Sequence, residues 1–222
     1  METNLTDALN GCPLFAGLSG QEIAACLDGT QHKTVTYHRH DTYCMSGDPC
    51  RHVDIVVEGE LLARMTGLSG RQVEVIRIRR GDMIAPCFVF ATDRRMPVEI
   101  EAVTDTRLLR MSPDTLDALA ATCTAIRRNL VRTLSDIGAY LAEKIGFLSL
   151  MTVREKVVCF LRSEAVAQHS RRIRLDMSRQ RIADSFGIQK FSLLRCLAEL
   201  ADEGIIKVDG RQIDIVDIGR LR

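Results

Sequence analysis

The sequence predicts an α+β chain: a small antiparallel β domain, one long helix and a C-terminal winged helix-turn-helix. Three observations carry that prediction. Short β-rich runs alternating with turn signals fill residues 34–111. A heptad-like apolar stripe follows over residues 126–148. The segment from residue 150 to 222 reads helix, helix, helix, hairpin.

The elements follow in chain order. Residues 14–28 read as a short helical lead-in, with Ser19 as N-cap and Glu22 three residues on, a capping-box pattern. Strand-like runs come next: Val53-Asp54-Ile55-Val56-Val57, Leu61-Leu62-Ala63-Arg64-Met65, Gln72 to Ile78, and Val98 to Val103. Glu58-Gly59-Glu60, Gly67-Leu68-Ser69-Gly70 and Gly81-Asp82 punctuate them as turns. Short strands at this spacing argue for an antiparallel sandwich or barrel.

At Ser112-Pro113-Asp114 the pattern switches to helix, with Ser112 as N-cap and Pro113 at the first helical position. Apolar residues then fall at Ile126, Leu130, Leu134, Ile137, Leu141, Ile145 and Leu148. That is a narrow seam on a long helix. Such a seam needs a partner, and a parallel homodimer is the expected one, with part of the stripe covering the β domain. The expected boundaries are residues 1–121 for a sensor domain, 122–149 for the dimerisation helix and 150–222 for the reader.

In the last segment, Val153–Ala167 is amphipathic, His169–Arg172 is a polar break, and Arg174-Leu175-Asp176 is a short extended piece. Ser178–Phe186 is a helix capped by Ser178, Gly187 breaks it, and Gln189–Glu203 is the next helix. Ile205–Val208 and Arg211–Val216 flank an Asp209-Gly210 hairpin signal.

Composition sets limits. The chain has 222 residues, 46% of them apolar, which suits one large domain or two small ones with a genuine core. No run approaches the roughly 18 apolar residues of a membrane span. The first residues lack the basic start and apolar run of a secretory signal, so a cytoplasmic protein is expected. Eight cysteines are scattered without short paired spacing, and reduced thiols are the default for such a chain. Residues 150–222 hold 14 Lys and Arg against 10 Asp and Glu, a net +4, while the whole chain carries only +1. A positive C-terminal segment on a slightly acidic body hints at nucleic acid.

The motif that carries chemistry is Ser178 to Arg195. Ile182, Ala183 and Phe186 form the inner face of the first helix, and Ile188, Leu193, Leu194 and Leu197 bury the second. Gln189, Lys190, Ser192 and Arg195 are left outward at the start of that second helix, where a recognition helix meets bases and phosphates. Arg195 has the fork for bidentate contact with guanine, while Lys190 and Ser192 suit bases or phosphates. Arg172, Arg174, Arg179 and Arg181 stand upstream for phosphate neutralisation. No Ser/His/Asp order, phosphate-cradling loop or paired-carboxylate motif points to catalysis. The rival class is a β-barrel enzyme or binding protein with a helical appendage. His38-Arg39-His40 bears on it, because alternate strand residues share a face and two imidazoles there suit one metal. A cupin-like site needs a Glu soon after, and Asp41-Thr42-Tyr43 supply none. A solvated strand face is the expectation.

With these residues in order, the chain resembles the CRP/FNR superfamily of bacterial transcription regulators over nearly its whole length. The resemblance implies a cyclic-nucleotide-binding-type β-roll, or jelly roll, ahead of the long helix. It also implies double-stranded DNA with a palindromic operator, a homodimer, and RNA polymerase as partners. Cyclic-nucleotide binders in that family carry Gly-Glu and a later Arg-Ser, where this chain has Ala85-Pro86 and Met96-Pro97. That argues against cyclic AMP, and a frame shift would be needed for Arg94 or Arg95 to serve. The family's iron–sulfur sensors use closely spaced N-terminal cysteines, but Cys12 and Cys26 stand far apart.

Ala85-Pro86-Cys87-Phe88-Val89-Phe90-Ala91, Met96-Pro97-Val98 and Lys190–Arg195 are similar to the HcpR-type branch, which controls nitrosative-stress genes. That implies nitric oxide sensing through haem. The branch's usual recognition helix reads Arg-Pro-Ser-Leu-Ser-Arg, which this chain departs from at Lys190, Phe191 and Leu194. The expected effector pocket takes Met65, Ala85, Pro86, Cys87, Phe88 and Phe90, facing Leu134, Ile137 and Leu141. Candidate iron ligands are Met65, Met83, Met96, Cys87, His32, His38, His40 and His52, with Met65 first because hairpin tips close over such pockets. Other effectors stay open, another small molecule or thiol redox state among them. The expected mechanism moves the seam helix and a hinge near Gly146–Thr152, bringing two reader domains to successive major grooves about 34 Å apart.

Overall fold

The computed structural model describes residues 2–67 and 72–221, so the Leu68-Ser69-Gly70 part of the expected turn lies outside the described residues. The chain divides into two units, residues 1–139 and 140–222.

The first unit opens with α1 (Glu2–Asn10), a 3-10 turn at Pro13–Phe15 and α2 (Gly20–Leu27). The Ser19 hydroxyl accepts from the Glu22 amide and the Glu22 carboxylate accepts from the Ser19 amide, which closes the expected capping box. Eight strands follow: β1 (His32–Tyr37), β2 (Thr42–Cys44), β3 (Val53–Glu58), β4 (Glu60–Thr66), β5 (Gln72–Arg79), β6 (Met83–Ile84), β7 (Glu99–Ala102) and β8 (Thr106–Met111). They form two antiparallel four-stranded sheets, ordered β1-β8-β3-β6 and β2-β7-β4-β5. This is the expected β-roll.

Strand β3 departs from simple alternation. Val53, Asp54, Ile55, Val56 and Val57 are all buried. One face meets the opposite sheet, and α1 packs against the strand as well. Helix α1 lies ahead of the helical lead-in expected at residues 14–28. Its apolar residues Leu5, Ala8 and Leu9 fall at helical spacing and pack into the sheet core.

The β3–β4 turn depends on Gly59. Its φ is +90°, and a Cβ there would lie 2.7 Å from the Thr106 Cα and closer still to the Asp105 carbonyl oxygen. No side chain fits, so the two sheets join at this point only through glycine.

Ser112 caps α3 (Pro113–Thr122) by accepting from the Thr115 amide, and α4 (Thr124–Leu150) follows after the single residue Cys123. The Asn129 side chain, buried at the foot of α4, donates to the Leu14 and Ala16 carbonyls at 3.0 and 2.9 Å. That fixes the helix to the 3-10 turn.

The seam stripe changes character along α4. Ile126 is fully buried and Leu130 packs on the sheet core. Leu134 and Ile137 are half-buried. Leu141, Ile145 and Leu148 are 52, 65 and 40% exposed, beside Tyr140 at 60%. Gly146, expected in a hinge, lies inside the helix; only Met151 and Thr152 interrupt the helical backbone.

The second unit continues with α5 (Val153–Ala167), β9 (Arg172–Arg174), α6 (Arg179–Ser185), α7 (Lys190–Asp202), β10 (Ile206–Asp209) and β11 (Gln212–Ile215). The three strands pair antiparallel in the order β10-β11-β9. Two expectations shift. The extended piece expected at Arg174–Asp176 is β9, displaced toward Arg172 by its pairing with β11. The hairpin loop is Gly210-Arg211, because Asp209 still pairs with Gln212 and glycine takes the first loop position. Among the described residues, no helix is long and apolar enough to cross a membrane.

Candidate nucleic-acid interface

Local chemistry sets the corner between α6 and α7. The Ser178 hydroxyl accepts from the Arg181 amide and starts α6. Gly187 reaches φ +66° and lets the chain turn. Leu193, Cys196, Leu197 and Leu200 then face Ile182, Ala183 and Phe186 in the core of this unit. Leu194, expected inside, is 42% exposed. The buried positions run 193, 196, 197 and 200, and 194 falls one step off that face.

The outward side of α7 collects side chains suited to DNA. Gln189, Lys190 and Arg195 are exposed, and Ser192 is half-buried. The Arg195 guanidinium holds Glu199 at 2.9 Å, one helical turn further on. That ion pair lifts the Arg195 pKa further above its ordinary value. Phe191 is 73% exposed, four residues before Arg195 and therefore on the same face. Phe191 is not among the expected DNA-facing residues; the spacing 191, 195 is the signal that places it there.

The upstream arginines divide. Arg174 is exposed on β9. Arg179 is half-buried, and its Nη2 donates to the Gly210 carbonyl at 3.0 Å. Its guanidinium therefore braces the hairpin against the start of α6, and desolvation lowers its pKa. Arg172 pairs with Asp214 across the sheet at 3.0 Å.

Two interior devices hold the corner. Phe147 and Phe160 meet Phe186 edge-on, at centroid distances of 5.5 and 5.6 Å. Lys156, only 6% exposed, donates from Nζ to the Leu148 carbonyl at 2.9 Å and the Phe186 carbonyl at 3.2 Å. Those are terminal carbonyls of α4 and α6, the groups a helix leaves without internal partners.

The expected effector residues are distributed unevenly. Met65 stands at the end of β4, 46% exposed. Pro86 is buried, Ala85, Cys87 and Phe88 are half-buried, and Phe90 is 40% exposed. Ala85 and Phe88 pack against the sheet core, where Ile84, Val89 and Met96 are buried. Arg95 donates to the Gly47 carbonyl at 2.9 Å and pairs with Asp93 at 3.5 Å.

Ala85 adopts φ +53°, a left-handed conformation that costs an alanine about 1–2 kcal/mol. Ala85→Gly removes that strain and loses about 0.4–1 kcal/mol through unfolded-chain entropy. A net gain near 0.5–1 kcal/mol is expected, read as a rise of a few degrees in thermal midpoint; a lowered midpoint would contradict it.

His38 and His40 do not share a strand face. They lie in a turn after β1, where His40, at φ +73°, meets Glu101 at 2.9 Å and His38 meets Asp105 at 3.7 Å. Among the described residues, no group of three His, Cys, Asp or Glu side chains is placed to hold a metal.

Comparison with known proteins matches residues 34–123 to the cyclic nucleotide-binding domain and residues 155–222 to the Crp-like helix-turn-helix domain. The chain is 25% identical over 209 residues to the anaerobic regulatory protein of Haemophilus influenzae, covering 92% of this chain and 80% of that one. It is 23% identical over 213 residues to the CRP-like cAMP-activated global transcriptional regulator of Mycobacterium tuberculosis, covering 94% of each. In fold it is similar to the Thermus thermophilus catabolite activator protein, with TM-score 0.57 and 20% identity over 94% of this chain and 96% of that one. FixK2 from Bradyrhizobium japonicum gives TM-score 0.57 and 22% identity, over 86% of this chain and 96% of that one.

Proposed function

Because this chain belongs to the CRP/FNR family of non-enzymatic, DNA-binding transcription regulators, we propose that it binds a palindromic operator as a homodimer, with α7 in the major groove and its β-roll receiving the effector. The observation that carries this reading is the outward face of α7. Lys190, Phe191 and Arg195 stand exposed at its N-terminal end, on the net-positive part of the chain. Arg195 would read guanine, and Lys190, Ser192, Gln189 and Arg174 would meet bases and phosphates. Ser178 and Arg179 serve by setting the corner and bracing the wing.

The dimer reading rests on Leu141, Ile145 and Leu148, apolar residues of one stripe that a single chain leaves exposed. RNA polymerase contact is part of the same proposal and rests on the family resemblance alone. The ligand acts only through its different affinity for two dimer states.

The deciding experiment selects an operator from random duplexes and titrates it with wild type and Arg195→Ala. A loss of specific affinity of about 10- to 100-fold is expected, with non-specific binding retained. A wild-type protein without sequence preference would overturn the reading. So would a mass of one chain at micromolar concentration with operator present.

For the effector we attach nitric oxide through haem, supported by the similarity of residues 85–91, 96–98 and 190–195 to the HcpR-type branch. The donors present fit in kind. Met65 offers an exposed thioether, and Val75 and Ile76, 49 and 58% exposed, leave apolar surface on the paired strand. Bound haem would supply an iron that takes nitric oxide; the chain's part is to ligate and cover it. A saturable Soret band at one haem per chain, moved by nitric oxide and lost in Met65→Leu, is the expected result. Its absence would remove haem and leave the DNA reading intact.

A further inference from the structure

Two cysteines that the sequence places 97 positions apart, Cys26 and Cys123, meet in the first unit. Cys26 lies in the last turn of α2, and Cys123 is the single residue between α3 and α4. The Cys123 thiol is near enough to Cys26 to bear on its ionisation. Both are partly exposed. Both line an open cavity of about 500 Å³ between α2 and α3, with Leu18, Ala118 and Leu119 on its walls. Cys123 also belongs to the start of the long helix, because its carbonyl accepts from the Arg127 amide at 3.1 Å.

From this juxtaposition we infer that Cys26 and Cys123 are a redox-active dithiol, which a peroxide converts to a disulfide that staples α2 to the first turn of α4. Both residues line the same cavity and pack against the same core, which puts the two thiols side by side. Solvent reaches them through the cavity. Cys12 and Cys44, by comparison, are pushed by burial up to about 11 and about 12.

The chemistry balances. One thiolate attacks a peroxide oxygen, the O–O bond breaks, and a sulfenic acid and one water form. The second sulfur then attacks the sulfenic sulfur. The S–O bond breaks, the S–S bond forms and a second water leaves. Two thiols lose two electrons, and their protons end in the two waters. Burial, the neighbouring Cys123 and the Glu22 charge hold the Cys26 thiol above its ordinary value. The nucleophile is the thiolate, so closure should quicken as pH rises from 7 toward 9.

The site holds whether or not the chain binds haem, and its test needs no DNA. The full chain is reduced, exposed to a small excess of hydrogen peroxide, alkylated and digested. The expected product is a linked peptide pair containing Cys26 and Cys123, two mass units lighter than its reduced parts. Loss of alkylation should be confined to those two residues. The oxidised chain should melt about 10 °C higher in its first unit, a shift absent from Cys26→Ser and Cys123→Ser. Oxidised protein in which both residues are still alkylated, or in which either links to another cysteine or another chain, would overturn the assignment. A linked pair with unchanged melting would overturn the staple. The wild-type digest decides the first point even if a variant folds poorly.

Discussion

Asp54→Ala is expected to destabilise the β domain by about 3–5 kcal/mol, a large part of the roughly 5–15 kcal/mol that holds a typical domain together. Asp54 is completely buried on β3. Arg110 lies opposite it in the β3–β8 register. The guanidinium grips the carboxylate with both arms, Nε to Oδ1 at 2.9 Å and Nη2 to Oδ2 at 2.6 Å. Nη2 also donates to the Tyr37 hydroxyl at 3.1 Å, and the Arg110 guanidinium sits 5.8 Å from the Tyr43 ring centroid. Hydrogen bonding to Asp54 raises the Arg110 pKa well beyond its ordinary value, and burial and Asp54 together raise that of Tyr43. Removing the carboxylate leaves a guanidinium with 15% of its side chain exposed and no counter-charge in contact. Most of the loss is therefore the cost of the orphaned cation. The double variant Asp54→Leu/Arg110→Met should recover most of it, because it removes both charges at once. Urea unfolding of the three proteins checks this. An Asp54→Ala variant within about 1 kcal/mol of wild type would contradict the account.

The second large effect is expected at Lys156→Met, about 2–3 kcal/mol in the second unit. Methionine keeps the apolar stem and removes the ammonium. The Leu148 and Phe186 carbonyls then lose the Nζ donor that reaches them at 2.9 and 3.2 Å. The ammonium also lies 5.9 Å from the Phe147 ring centroid. It sits at the carboxyl ends of α4 and α6, where helix dipoles favour positive charge. Because Phe186 precedes the Gly187 turn, the loss should reach α7. Operator affinity should fall about tenfold although no DNA-facing side chain changes. Hydrogen exchange of the Phe186–Gln189 amides, alongside thermal unfolding, reads both effects. Wild-type stability and exchange would show that Lys156 does not hold the corner.

Neither group stood out in the sequence. Asp54 reads there as the polar member of a strand run, and Lys156 as one more charge on an amphipathic helix. What makes them matter is a partner 56 positions away in one case and 30 in the other. The same holds for Phe191 in part: its exposure follows from helical spacing, but only once the buried face of α7 is known.

The sequence by itself determined the order of elements, the caps at Ser19, Ser112 and Ser178, the Gly187 corner, the wing and the character of the α7 face. Each follows from rules that act over three or four residues: capping, periodicity and the conformational freedom of glycine. Tertiary structure decided the rest. It placed α1 against β3, which is buried from Val53 to Val57. It divided the α4 stripe into a part that covers the sheet core and a part left exposed. It gave Arg179 a hydrogen bond to the Gly210 carbonyl of the wing, and it brought Cys26 beside Cys123. Those outcomes depend on which surfaces meet after the chain has folded back, and burial and pairing energies between distant residues leave no local signature in the sequence.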